Sequence, residues 1–430
     1  MVCDRLASCF SVIVATALQI ALCAYTAVPG HADSLTEAAQ ALRHADGPAQ
    51  QLSKPDRTIL QATLALHFDH PMQGLQLLES ASADGDPLIA LLKAELHRQL
   101  AVDAIHKAET SSPPLQRPAM LLASADLSEG LGEADARLQS FVSTLDDQDL
   151  LPFDLLEPGN IANLFMVDKA NSRLYLFAPD ADGKWRKVDD EYVVTGAVSG
   201  DKQQRGDGKT PNGIYRFVRV LRGASLEARY GPVAFPIDYP NALDRLHGKD
   251  GDGIWLHGYA THVSRRPPKD TRGCFSLPND RLLQLAKQIE LQHSWVIIGE
   301  QLQFDHTKKK QQLRQSLMAA LEQWRSDWAS LNTEAYLAHY DVKFRNERGD
   351  LAAWKRYKRR VNATKSHIAV AIDHLTLIHD PNHWPEGEVV VAEFDQHYRS
   401  NNYQDVSRKR LYWVRRGANQ GWKILIEESL

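Results

Sequence analysis

Past its first few dozen residues this chain has almost no cysteine. Of the four in 430 residues, Cys3, Cys9 and Cys23 fall before position 33, which leaves Cys274 alone. A single thiol excludes an internal disulfide and a zinc knuckle built from cysteine pairs. Long apolar runs are equally scarce: only Ser11 to about Val28 is free of charge over such a length, which excludes a protein with several membrane spans. Charge of one sign is also lacking, because a net charge of −4 is far from the strong excess of a nucleic-acid binder. What remains is 43% hydrophobic and 24% charged, the texture of two or three ordinary globular domains.

The one apolar run follows Arg5 and is followed by Pro29-Gly30-His31-Ala32. That pattern predicts a secretory leader, residues 1–32, cut before Asp33 with Gly30 and Ala32 as its small residues; Asp4 offsets the usual positive charge. Left uncut, the run is just long enough to tether the chain to a membrane. Either way an exported protein of the periplasm or cell envelope is expected. Leu22, where a lipoprotein leader wants a small residue, argues against lipid attachment at Cys23.

Three textures follow, predicting a multidomain α+β protein. Residues 33–150 carry Ala and Leu at helical spacing with breaks at Gly47-Pro48, Gly85-Asp86-Pro87 and Ser112-Pro113-Pro114. Leu66-His67, Leu75, Leu77 and Leu78 are echoed by Leu96-His97, Ile105 and Ala108, which suits a helix-hairpin repeat or a plain bundle. Residues 158–300 read as a mostly β domain: Phe165–Val167, Leu174–Phe177, Glu191–Val194, Gly213–Phe217, Gly253–Leu256 and Trp295–Gly299 are strands, and a helix follows Pro278-Asn279-Asp280. Residues 301–312, with Lys308-Lys309-Lys310, read as a linker. Residues 313–430 begin with an apolar stripe at Leu313, Leu317, Leu321, Trp324 and Trp328 and continue as alternating strands. Charge divides along these lines: 33–150 holds 8 Lys/Arg against 18 Asp/Glu, and 301–430 holds 21 against 16. Solvated surfaces of opposite sign explain this, and no nucleic acid is called for.

An exported thiol without a partner is either a small core residue or a nucleophile. The surroundings of Cys274 favour use. Gly273 permits close backbone approach, Arg272 can hold charge on sulfur, and Thr271 and Ser276 are small and polar. A thiol attacks a carbonyl only after losing its proton, so it needs a base; His257, ending a predicted strand 17 residues earlier, is the leading one. Backbone N–H groups at Gly273 and Cys274 would then receive the developing oxyanion. His247, His257, His262 and Cys274 are of types that suit zinc, but no tight pair spacing supports a site, so no metal or cofactor is expected.

His257-Gly258 with Thr271-Arg272-Gly273-Cys274 closely resembles the catalytic motif of the L,D-transpeptidases of bacterial cell walls, the YkuD-type domain. Arg173–Leu176, Lys209-Thr210-Pro211-Asn212-Gly213-Ile214-Tyr215 and Ile254–Gly258 are similar to that family's segments in the same order, over about 160–300. The resemblance implies a cysteine acyltransferase in cell-wall biogenesis that acts on peptidoglycan stem peptides. Cys274 would attack the third residue's carbonyl, expel terminal D-alanine, and pass the acyl group to an amine, or to water in a carboxypeptidase. Gly258, Tyr259, Thr271 and Arg272 would line the substrate. The chain departs from the family pattern in two places: Arg272 stands where histidine is common, and Ser276 replaces the usual Asn or Arg two residues past the cysteine. The first strengthens His257 as sole base, with His262 as a stand-in, and the second leaves substrate alignment open.

The tail, 313–430, resembles the NTF2-like domain that some of these enzymes carry, on Trp324–Trp328, Tyr336–Tyr340, Phe394–Tyr398, Lys409–Trp413 and Gly421–Ile424. In helical-cell-shape enzymes of this architecture the activity is L,D-carboxypeptidase. Envelope proteins are the partners expected for the helical region and the tail. A non-catalytic wall-binding scaffold is the rival reading. Arg265-Arg266-Pro267-Pro268 reads as a lid loop, and Lys355 to Arg360 as a solvated helix face.

Overall fold

A computed structural model describes residues 31–44, 54–68, 70–81, 88–97, 132–139 and 151–430, apart from 264–265, 305–306 and 418, together with a few single positions before 151. Residues 1–30 of the predicted leader (1–32), and Ile105 and Ala108 of the helical echo, lie outside the described residues. The chain divides into two units, 1–148 and 149–430.

In the first unit, α1 (His31–His44), α2 (Lys54–His67) and α3 (Pro71–Glu79) are joined by helical residues 88–97 and 132–139. Leu75 and Leu78, and Leu88, Leu92 and Leu96, recur every three or four residues and with Ile59 close one core; Leu35, Leu42, Leu60, Leu64 and Leu138 close another. His67 is tied to Asp135 at 2.9 Å. Among the described residues no helix is long and apolar enough to cross a membrane.

The second unit opens with β1 (Leu155–Pro158), which pairs with a strand of the tail described below. The β-rich middle part follows, with β2 (Asn163–Asp168), β3 (Arg173–Pro179), β4 (Trp185–Tyr192), β5 (Thr195–Gly196), β6 (Gly213–Arg216), β7 (Leu221–Arg222), β8 (Val233–Pro236), α4 (Ala242–Leu246), β9 (Trp255–His257), β10 (Lys269–Thr271), β11 (Phe275–Ser276), α5 (Asn279–Leu285) and β12 (Ser294–Gly299). One sheet runs β4-β3-β2-β12-β6 and another β11-β9-β8-β7, while β5 and β10 pair separately. Strand β12 lies parallel to β2 and antiparallel to β6.

The apolar runs of β2, β3 and β12 are continuous because both faces of the five-stranded sheet are covered. Phe165, Val167, Leu174, Leu176, Val296 and Ile298 face the core shared with β8, β9 and β11. Their alternate neighbours Leu164, Met166, Tyr175, Phe177, Trp295 and Ile297 face Ile378, Val389, Val391, Tyr412 and Val414 of the tail. Period-2 alternation thus welds the middle part to the tail.

The tail comprises α6 (Thr307–Ala329), α7 (Thr333–Leu337), β13 (Tyr340–Asn346), β14 (Gly349–Asp350), α8 (Leu351–Asn362), β15 (Ile368–His379), β16 (Glu388–Ser400), β17 (Tyr403–Arg415) and β18 (Lys423–Ser429). Its sheet runs β1-β15-β16-β17-β18-β13-β14, so the strand before the middle part belongs to the tail. Around β1, Arg314 pairs with Glu157, Lys310 donates to the Pro152 carbonyl at 2.8 Å, and His379 meets Asp154 at 2.8 Å. Where the sequence predicts a linker over 301–312, the structure begins α6 at Thr307, since Lys and Gln are good helix formers without an apolar stripe.

Trp324, Trp328, Tyr336, Tyr340, Phe344, Trp354 and Tyr398 fill the tail's core. The predicted solvated face of α8 needs one correction. Trp354, Lys358 and Asn362 recur every four residues and are all buried. Lys358 Nζ sits 4.1 Å from the Trp328 ring and 4.5 Å from that of Trp354. Burial holds its pKa down at about 7, against partial relief from Glu427.

Candidate active site

Strands β9 and β11 are parallel neighbours, with Phe275 opposite Leu256 and Ser276 opposite His257. Phe275 and Leu256 are fully buried in the core. Alternation therefore turns Cys274, Ser276, Trp255 and His257 to the other face. Cys274, one residue before β11, and His257 thus hold diagonal positions on neighbouring strands.

His257 is 4% exposed and its Nδ1 lies 2.6 Å from the Gly258 carbonyl. A carbonyl only accepts, so Nδ1 carries the hydrogen and Nε2 keeps its lone pair, the form a general base requires. The Tyr230 ring meets the imidazole edge-on at 5.1 Å, and the Tyr230 carbonyl accepts the Gly258 N–H at 2.9 Å. Gly258 has no room for a side chain, because Asn279 Oδ1 occupies the space its Cβ would need. That amide accepts from Tyr259 N–H at 2.8 Å and donates to the Tyr259 carbonyl at 3.1 Å, fixing the backbone beside the base.

Cys274 is half-buried and points its thiol at the Gly253 carbonyl, 3.3 Å away. Its own carbonyl accepts from the Thr271 hydroxyl at 2.6 Å and from Thr210 at 3.1 Å. The Lys209–Tyr215 segment thus buttresses the thiol's strand. Gly273 has φ +126°, and a Cβ there would lie 2.8 Å from the Lys209 carbonyl, so only glycine fits. The Gly273 N–H, expected as an oxyanion donor, is given to Thr271 Oγ1 at 3.1 Å. To bind an oxyanion it must exchange that acceptor for the substrate.

The other predicted site residues are divided. Thr271 and Tyr259 are buried beside the pair. Arg272 and His262 are exposed, and no hydrogen bond or ion pair joins either to another described residue. His247 stacks on Trp384 at 4.9 Å and pairs with Glu386 at 3.1 Å. Among the described residues no group of three or more His, Cys, Asp or Glu is arranged to hold a metal ion. Asn279, Tyr230, Thr210 and Arg266 are neighbours that sequence reasoning did not assign to the site. Thr210 lies in the Lys209–Tyr215 segment, Asn279 in the helix-start signal and Arg266 in the Pro-rich loop, whereas no local signal marks Tyr230.

Burial sets the electrostatics. It pushes the Cys274 thiol up to about 11, against lowering by a backbone N–H of Trp255 and the charges of Arg266, Lys202 and Arg229. It pushes the His257 imidazole down to about 4, helped by Arg266 and Arg229 and opposed by the bond to Gly258. The resting pair is thus neutral thiol and neutral imidazole, so the proton leaves sulfur as sulfur attacks. Alkylation of Cys274 by iodoacetamide is accordingly expected to accelerate about tenfold per pH unit from 7 to about 10, because only the thiolate reacts. A plateau reached by pH 8.5 would instead mean a preformed ion pair.

Residues 162–298 match the family described as the L,D-transpeptidase catalytic domain, YkuD, and residues 316–428 match the Cds6 C-terminal NTF2-like domain. Over 80 residues the chain is 34% identical to "Putative L,D-transpeptidase YafK" of Escherichia coli (strain K12), which covers 19% of this chain and 28% of that protein. Two solved structures each cover about two thirds of this chain. Bd1075 of Bdellovibrio bacteriovorus is 26% identical with a TM-score of 0.56, over 65% of this chain and 98% of that one. The helical cell shape determining protein Pgp2 of Campylobacter jejuni is 29% identical with a TM-score of 0.56, over 66% and 96%.

Proposed function

We propose that this chain, whose middle part is an L,D-transpeptidase catalytic domain and whose tail is an NTF2-like domain, is a cysteine acyltransferase of peptidoglycan tetrapeptide stems. The observation that carries the reading is a thiol and a neutral imidazole on one face of adjacent parallel strands, with Nε2 available. Cys274 Sγ attacks the carbonyl carbon of the third residue while His257 Nε2 takes the thiol proton. The tetrahedral intermediate collapses with cleavage of the C–N bond to D-alanine, and the imidazolium returns its proton to the departing amine. An incoming amine or water then gives its proton to His257, attacks the thioester and expels the sulfur, which is reprotonated.

Transfer to an amine makes this a transpeptidase of cell-wall remodelling, and transfer to water makes it a carboxypeptidase. The likeness to a cell-shape determining protein over 66% of the chain supports the second outcome as a serious rival. The reading places the protein in the periplasm or envelope, with the helical region and the tail available to wall or envelope partners. Mass analysis after incubating the purified chain with disaccharide-tetrapeptide tests it. Loss of one alanine without dimers means hydrolysis, and dimers mean transpeptidation. An unchanged substrate refutes the catalytic reading and supports a wall-binding scaffold.

A further inference from the structure

The departure at Ser276 is answered from elsewhere in the fold. Ser276 is fully buried, and Arg266 approaches it with Nη1 3.4 Å from the Ser276 hydroxyl. The predicted lid is pinned at this residue. Arg266 Nε donates to Asp270 Oδ2 at 2.7 Å, Nη2 donates to the Asp270 carbonyl at 2.7 Å, and the Arg266 carbonyl accepts from Tyr192 at 3.1 Å. The guanidinium lies 5.8 Å from the Tyr259 ring. A guanidinium has five N–H donors. The three bonds named leave two of them without an acceptor among the described residues.

Two other arginines compete for a role here, and the buried Lys202 is paired with Asp207 at 2.8 Å. Arg272 is exposed and held by nothing described, so binding through it would cost the freedom of a long side chain. Arg229 has its side chain largely in solvent, with one contact to Glu227 at 3.1 Å, so it too would lose side-chain freedom on binding. Of the three arginines only Arg266 is half-buried and held by both the side chain and the carbonyl of one residue, Asp270; its charge, like that of Arg229, acts on both Cys274 and His257.

We propose that Arg266 is the substrate-carboxylate anchor of this site, gripping a carboxylate that flanks the scissile bond and so setting the carbonyl before the thiol. Two carboxylates of the tetrapeptide offer that chemistry, the one on the terminal alanine and the free one on the third-position diamino acid. The assignment rests on the acyltransferase reading for its substrate, and Asp270 acts as the positioning residue. A charge-assisted contact of this kind is worth about 10- to 100-fold in affinity.

The test is calorimetric binding of free tetrapeptide, and of its two singly amidated forms, to full-length Cys274→Ala protein with and without Arg266→Met. Turnover of the acid by the wild type is followed in parallel. The expected result is a loss of about 10- to 100-fold for one amide, and a similar loss of acid binding in Arg266→Met, in which acid and amide then bind alike. The amide that is discriminated identifies the carboxylate. Arg266-dependent preference without wild-type turnover sinks the catalytic reading and leaves the anchor standing. Turnover with an acid preference that survives Arg266→Met, or with no preference at all, overturns the anchor. An unchanged thermal midpoint in Arg266→Met separates a lost contact from a lost fold.

Discussion

Cys274→Ala is expected to lower alanine release from tetrapeptide by roughly 10⁴-fold or more, while the protein still folds and binds substrate. No other group can take over the attack. Ser276, the nearest hydroxyl in sequence, is fully buried beside Arg266, and the Thr271 hydroxyl is committed to the Cys274 carbonyl. The side chain removed is small and half-buried, and it meets only the Gly253 carbonyl and the Trp255 N–H among the backbone groups described, so the thermal midpoint should shift by only a few degrees. Product analysis of the variant decides the matter. Activity near wild type would end the case for the thiol as nucleophile, whatever the family likeness.

The second large effect concerns stability. Glu393 of β16 accepts from Arg216 of β6 and, at 3.1 Å, from Arg410 of β17. All three side chains are buried, at 6%, 4% and 5% exposure. Both guanidiniums lie over Trp295, at 4.7 and 5.1 Å from the ring, and Arg410 also reaches Asp238 at 3.4 Å. Burial already drives the Arg216 guanidinium down to about 10, against the pull of Glu393. Glu393→Leu would leave two buried cations short of countercharge, and a cost of about 3–5 kcal/mol is expected. Urea unfolding should show it, with the double variant Arg216→Met, Glu393→Leu recovering part of the loss. A change below about 1 kcal/mol would mean that the apolar interface alone holds the middle part to the tail.

Much of this architecture was legible in advance, for physical reasons that differ by element. Short apolar runs bounded by turns placed β2, β3, β6 and β12, and an apolar stripe at helical spacing placed most of α6, because those signals are local. The pair Cys274 and His257 was readable for a different reason: a lone thiol and a histidine ending a strand are chemically conspicuous. What was not legible depends on distant partners. Leu155–Pro158 carries no mark of the strand it joins more than 200 residues later. Lys358 looks like one more surface cation until the aromatic rings that enclose it are in place. Arg266 reads as part of a Pro-rich loop, and only folding brings it to the hydroxyl at Ser276.

Because β1 precedes the middle part and α6 follows it, the tail is discontinuous in sequence, and the middle part is threaded into it as an insertion. A fragment trimmed to start at Asn163 would strip β15 of its outer neighbour and leave Arg314 and His379 without the acidic partners at 157 and 154. The smallest piece that keeps every pairing intact therefore starts ahead of Pro152, upstream of any boundary drawn around the motif-bearing residues.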